Sequence, residues 1–117
     1  MGASTSRENE AAALEYIDRV LTDHPVAIFS KSYCPYCHLA KDVMKQAGVP
    51  FHVVELDQKH DEPTGSDIQS ALATKTGRRT VPNVFLNKES IGGGSDVDAL
   101  FQSGKLTEML HAAGVLK

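Results

Sequence analysis

Val26-Ala27-Ile28-Phe29-Ser30-Lys31-Ser32-Tyr33-Cys34-Pro35-Tyr36-Cys37 is the stretch from which the rest of the chain can be read. A short apolar run is followed at once by both of the protein's cysteines, spaced Cys-x-x-Cys. A strand feeding a helix that starts near Cys34 leaves that thiol at the helix N-terminus. Unpaired backbone N–H groups and the positive end of the helix dipole there favour the thiolate. Pro35 suits the first helical position, where no N–H partner is needed. Cys34 is the candidate nucleophile. Cys37, one turn on and on the same helix face, can close a disulfide with it and release whatever Cys34 carries. Two other uses of the motif fit less well. Zinc wants four ligands and there is no second cysteine pair, and a structural bridge between positions 34 and 37 closes a loop too short to constrain the unfolded chain much. No metal is expected.

Outward from this stretch the pattern is regular. Ala13, Leu14, Ile17, Val20 and Leu21 have helical spacing, which predicts a helix over 8–22 that His24-Pro25 ends. The helix after Cys34 buries Ala40, Val43, Met44 and Ala47 and stops at Gly48. The apolar run 51–56 predicts a second strand. Strand, helix and strand within about 30 residues give a right-handed parallel crossover. A polar loop over 58–66 leads to a helix with Ile68, Ala71 and Leu72 inward and Gly77 at its end. Val84-Phe85-Leu86, turn residues 87–90 and Ile91 predict an antiparallel hairpin. Two short helices follow, the first capped by Ser95 or Asp96 and burying Val97, Leu100 and Phe101, the second burying Leu106, Met109 and Leu110.

The 117 residues suffice for one core, with residues 1–10 read as a flexible tail and 11–117 as a single domain. A formal charge of −3 and the lack of a basic run argue against nucleic acid as a partner. No apolar stretch approaches the roughly 20 residues that span a bilayer, and no signal-peptide core is seen, so a cytoplasmic protein with reduced thiols is expected. Met1-Gly2-Ala3-Ser4-Thr5-Ser6 fits the N-myristoylation pattern with Gly2 as acceptor, but so short a pattern fits a plain small-residue tail better. With only Arg7 as nearby positive charge, membrane binding through one acyl chain would be marginal and reversible.

Two further motifs carry chemistry. Thr80-Val81-Pro82 precedes a strand. Gly92-Gly93-Gly94 lets the backbone approach a ligand closely, and Ser95-Asp96 opens a helix whose free N–H groups suit a carboxylate while Asp96 suits an ammonium. Taken in order with Lys31, Cys34-Pro35-Tyr36-Cys37 and Gln69, these motifs resemble a dithiol glutaredoxin over about residues 12–115. The resemblance implies a thioredoxin-like α/β fold, a four-stranded mixed sheet flanked by about five helices. It implies a cis Val81–Pro82 bond that offers the Val81 backbone to an extended peptide beside the thiol. Glutathione is then the co-substrate. Its γ-glutamyl end would lie at Gly93, Ser95 and Asp96. Its glycine carboxylate would lie at Lys31 and Gln69, with Arg79 as a further basic contact. Thr80, Val81 and Pro82 belong to the same site. Tyr36 would line the groove, though as an aromatic it could equally serve packing. Arg78 is expected in solvent.

The reaction implied is glutathione-dependent reduction of glutathione–protein mixed disulfides and of protein disulfides, at a potential of about −200 to −230 mV. Partners would be glutathionylated or disulfide-bonded proteins and, indirectly, the glutathione reductase system, with the enzyme a monomer. An iron–sulfur cluster is not expected, because in this family proline after the first cysteine generally disfavours one, and Pro35 stands there. Thioredoxin is the nearest rival. The absence of tryptophan and the presence of the glycine run and Asp96 tell against it. His38, His52, His60 and His111 have no metal-site arrangement. His38, directly after Cys37, could tune that thiol.

Overall fold

A computed structural model describes residues 7–116; the Gly2 pattern and the remainder of the tail up to Ser6 lie outside the described residues. The chain runs α1 (Arg7–Asp23), β1 (Val26–Ser30), α2 (Pro35–Ala47), β2 (His52–Glu55), a 3₁₀ turn (Leu56–Gln58), α3 (Gly65–Thr76), β3 (Asn83–Leu86), β4 (Glu89–Gly92), α4 (Gly94–Gln102) and α5 (Lys105–Ala112). α1 begins one residue before and ends one residue after the helix predicted over 8–22, and so takes in residues 7–10 of the stretch also read as a tail. Glu8 and Glu10 stand in its first turn, where negative side chains favour the positive helix end.

The strands form one mixed sheet in the order β2-β1-β3-β4, with β1 parallel to β2 and antiparallel to β3, and β3 antiparallel to β4. β1 is central and buried along its whole length, as its apolar run demands. Ala27 and Phe29 pack into the layer of α1 and α3, while Val26 and Ile28 pack into the layer of α2, α4 and α5. Phe29 meets Phe85 of β3 edge to face, with ring centroids 5.6 Å apart. This is the thioredoxin-like architecture, with four strands and five α-helices among the described residues.

Two local details differ from expectation. The hairpin turn is confined to Asn87 and Lys88, both at positive φ (47° and 73°), the tight two-residue form that suits strand twist, so β4 already begins at Glu89. At the start of α4 neither Ser95 nor Asp96 is the cap. Gly93 is, and Asp96 at the third helical position reaches back so that its Oδ2 accepts the Gly93 N–H at 2.8 Å. A carboxylate inside the first turn can satisfy the helix end as a cap side chain would, so the helix begins earlier than residue preference suggests.

The topology decides where the chemistry sits. The register of β1 with β2 pairs Ser30 with Glu55, so the segments leaving these two parallel strands emerge side by side. The first of them carries the cysteines.

Candidate active site

Cys34 is the N-cap of α2, with extended backbone (φ −88°, ψ 120°), and its Sγ accepts the Cys37 N–H at 3.3 Å. Pro35 follows in the first turn, as the sequence predicts. The Cys34 thiol is half-buried and lies 3.9 Å from the carbonyl oxygen of Val81, which precedes a cis Val81–Pro82 bond. Cys37 is fully buried, and its Sγ accepts the Lys31 N–H at 3.4 Å. Burial first, and its hydrogen bond with Cys34 second, push the Cys37 thiol up to about 11. Both cysteines are free thiols. One sulfur open to attack at a helix start and one enclosed and protonated behind it form the asymmetry that a nucleophile and a resolving thiol require.

The turn between β1 and Cys34 is held from two sides. Asp57, just beyond β2, accepts the Ser32 hydroxyl at 2.5 Å and the Ser32 N–H at 2.9 Å, and these bonds hold its carboxyl below the usual carboxylate range, with Lys31 adding a smaller push. His38 places Nε2 2.9 Å from the Ser32 carbonyl oxygen, which accepts from it. Its ring thus braces the backbone of the preceding turn, a role separate from the tuning of Cys37 that the sequence suggests. Asp57 was not singled out by the sequence reading. The available signal was the parallel register, which sets positions two residues beyond Ser30 and Glu55 next to each other.

Tyr36, Thr80, Val81, Pro82, Ser95 and Arg78 line a cavity of about 320 Å³. Tyr36 is 60 % exposed, which favours the groove over the packing role. A Cβ on Gly94 would stand 2.5 Å from the Tyr36 carbonyl oxygen, so only glycine lets α4 come this close to the Cys-x-x-Cys turn. Gln69 of α3 donates from Nε2 to the Arg79 carbonyl oxygen at 2.9 Å and so ties the helix to the segment before Thr80. Of the two arginines, the one expected in solvent is the one drawn inward. Arg79 is exposed, whereas Arg78 is half-buried, donating from Nε to the Pro82 carbonyl oxygen at 3.3 Å and holding its guanidinium 3.6 Å from Asp96 Oδ2.

The comparisons with known proteins agree with this geometry. The family model described as glutaredoxin matches residues 26–91. The chain belongs to the glutaredoxin family. A glutaredoxin of Solanum lycopersicum is 47% identical over 97 residues, covering 83% of this chain and 87% of the relative. Glutaredoxin-C6 of Oryza sativa subsp. japonica is 46% identical over 104 residues, covering 89% and 90%. Among solved structures, a buckwheat glutaredoxin in complex with glutathione superposes with a TM-score of 0.88 at 38% identity, covering 96% of this chain and 99% of that one. The holo form of glutaredoxin C1 from Populus tremula x tremuloides gives 0.84 at 42% identity, covering 92% and 95%. With the Cys34–Cys37 pair, this chain is a dithiol glutaredoxin, of the class of glutathione-dependent thiol–disulfide oxidoreductases.

In this glutaredoxin the fold gathers Cys34, Tyr36, Thr80, Val81, Pro82 and Ser95 around one cleft, with Gly93 and Asp96 at the helix start beside it. Lys31 stays at the base of the cysteine turn, half-buried. Gln69, within α3, reaches the backbone carbonyl of Arg79 beyond the helix end. Arg78, Asp57 and the bracing role of His38 are what the sequence alone did not yield.

Proposed function

We propose that this glutaredoxin uses Cys34 to take glutathione off glutathionylated proteins and, with Cys37, to reduce protein disulfides. The observation that carries the reading is the pair of thiols itself: Cys34 accessible at the start of α2 against the Val81 carbonyl, Cys37 enclosed one turn behind. In the first reaction the Cys34 thiolate attacks the glutathione sulfur of the mixed disulfide. The old S–S bond breaks, the protein thiolate leaves and takes up a proton, and glutathione is bound to Cys34. A second glutathione thiolate attacks that same glutathione sulfur, forming glutathione disulfide and restoring the Cys34 thiolate. With a protein disulfide, Cys34 forms the mixed disulfide, Cys37 attacks the Cys34 sulfur, and the proton of Cys37 leaves with the departing protein thiol. Two glutathione molecules then reduce the Cys34–Cys37 bridge.

Glutathione would span the cleft, its γ-glutamyl end at Gly93, Ser95 and Asp96, its cysteinyl backbone against Thr80, Val81 and Pro82, and its glycine carboxylate toward Lys31, Gln69 and Arg79. Tyr36 would flank it. The protein is read as a monomer, and two working thiols suit a reducing, cytoplasmic setting. No helix among the described residues is long and apolar enough to cross a membrane. Acylation of Gly2 would add weak membrane attachment, read by intact mass of protein made in a eukaryotic host. Pro35 supports a form without an iron–sulfur cluster. The absorbance spectrum of freshly purified protein tests this, a visible cluster band contradicting it.

Reduction of a small glutathione mixed disulfide tests the reading as a whole. Turnover should be sustained by glutathione with glutathione reductase and not by thioredoxin reductase. The opposite donor preference overturns it.

A further inference from the structure

Arg78 stands as the wall between two cavities. On one side is the cleft of about 320 Å³ that Tyr36 and Val81 line; on the other is a larger cavity of about 700 Å³ bounded by Ser90, Gly92, Asp96 and Leu100. The arginine is fixed at both ends. At its base the backbone N–H donates to Thr76 Oγ1 at 3.1 Å, the same oxygen accepts from Nδ2 of buried Asn83 at 3.2 Å, and Asn83 Oδ1 accepts the Ser90 hydroxyl at 2.7 Å. At its tip Nε is held by the Pro82 carbonyl, and the guanidinium lies so close over Gly93 that a Cβ there would collide with it. Half-buried and immobilised in this way, its charge is screened by water less than that of a free surface arginine.

The guanidinium also has a fixed counterpart. Asp96 Oδ2 stands 3.6 Å away, on the side of the larger cavity, while its side chain remains 54% exposed, so a positive and a negative group are presented together where the two cavities meet at Arg78. An α-amino acid end carries the complementary pair, a carboxylate and an ammonium on one carbon. We infer that Arg78 is a specificity-determining residue that takes the α-carboxylate of the γ-glutamyl group, beside the ammonium already read as lying at Asp96. The inference rests on the reading that glutathione occupies this cleft. It makes the charged rim a selector for the intact zwitterion over peptides lacking either charge, with the planar fork of arginine suited to a carboxylate as a lysine is not.

The test compares three thiols in the glutathione-coupled assay: glutathione, its analogue without the γ-glutamyl α-carboxylate, and its analogue without the γ-glutamyl amine. Each is assayed with the wild type, Arg78→Gln, Arg78→Lys and Asp96→Asn. A charge-assisted contact is worth roughly ten- to a hundredfold, so wild type should discriminate against each analogue by about tenfold or more in kcat/KM. Arg78→Gln should bring the carboxylate-free analogue level with glutathione while still rejecting the amine-free one. Asp96→Asn should do the reverse, and Arg78→Lys should recover part of the carboxylate discrimination. A uniform fall of kcat/KM for all three thiols in Arg78→Gln would overturn the inference and leave Arg78 as a brace for the glycine turn, and so would unchanged discrimination. Each ratio is measured within one variant, so partial unfolding does not disturb it. If wild type uses unrelated thiols as well as glutathione, the glutathione reading falls; if it prefers glutathione and Arg78→Gln keeps both discriminations, only the role of Arg78 falls.

Discussion

Burial holds Cys37 as a thiol well into alkaline solution, its ionisation raised from 9.0 to about 11. In the unfolded chain the same group ionises first, so across this window the folded state keeps a proton that the unfolded state has lost. Stability from this group is fully present below pH 9.0 and is lost as pH rises toward about 11. Denaturant unfolding of the reduced protein should show a decline of up to about 1.4 kcal/mol per pH unit beyond that of Cys37→Ser. Equal slopes in the two proteins would contradict the assignment. Asp57 has the opposite sign. Its carboxyl is held down by Ser32, so its contribution is present above the ordinary carboxylate value of about 4 and is lost as pH falls through the lower value in the folded protein. Asp57→Asn should flatten the acid limb of a circular-dichroism titration and slow turnover by loosening the cysteine turn, and an unchanged acid limb would sink that role. At this scale the sequence was most legible where chemistry is local. Cys34, Pro35 and Cys37 announce themselves by spacing, whereas Asp57 and Ser32 are 25 positions apart and meet only through strand register. Arg78 and Arg79 are neighbours of one type, and nothing local distinguishes the one that turns inward.

α4 shows how an element can be read correctly and its boundary misread. Its apolar positions place it, and Val97 is buried as expected. The start was misplaced because serine and aspartate are preferred caps, while here the carboxylate of Asp96 does the capping from inside and frees Gly93 for the cap position. Close approach of α4 to the start of α2 depends on Gly94, whose Cβ would fall 2.5 Å from the Tyr36 carbonyl oxygen. Gly94→Ala should push α4 away and destabilise the protein by about 1 to 3 kcal/mol, the range for overpacking. It should also raise the KM for glutathione, because Ser95 and Asp96 move with the helix. Thermal unfolding and steady-state kinetics on this variant check both, and wild-type values for the two would contradict the packing argument.

Across the whole molecule, the parallel crossover and the hairpin were legible from period and turn residues, and together they leave few ways to arrange four strands. What periodicity could not supply was the division of helices between faces, which follows from alternate residues of β1: Ala27 and Phe29 one way, Val26 and Ile28 the other. Phe29 is fully buried against Phe85 and leads directly to the cysteine turn. Phe29→Ala should cost about 3 to 5 kcal/mol and lower the denaturation midpoint accordingly, and a loss under about 1 kcal/mol would show that the core collapses around the gap. The fold thus serves to hold two unequal thiols at one end of a sheet. The most direct test is to measure, for Cys34→Ser and Cys37→Ser, glutathione-coupled reduction of a glutathione mixed disulfide and reduction of a protein disulfide. Cys34→Ser should lose both activities, while Cys37→Ser should keep the first and lose the second; residual mixed-disulfide turnover in Cys34→Ser, or equal effects of the two substitutions on it, would contradict the account.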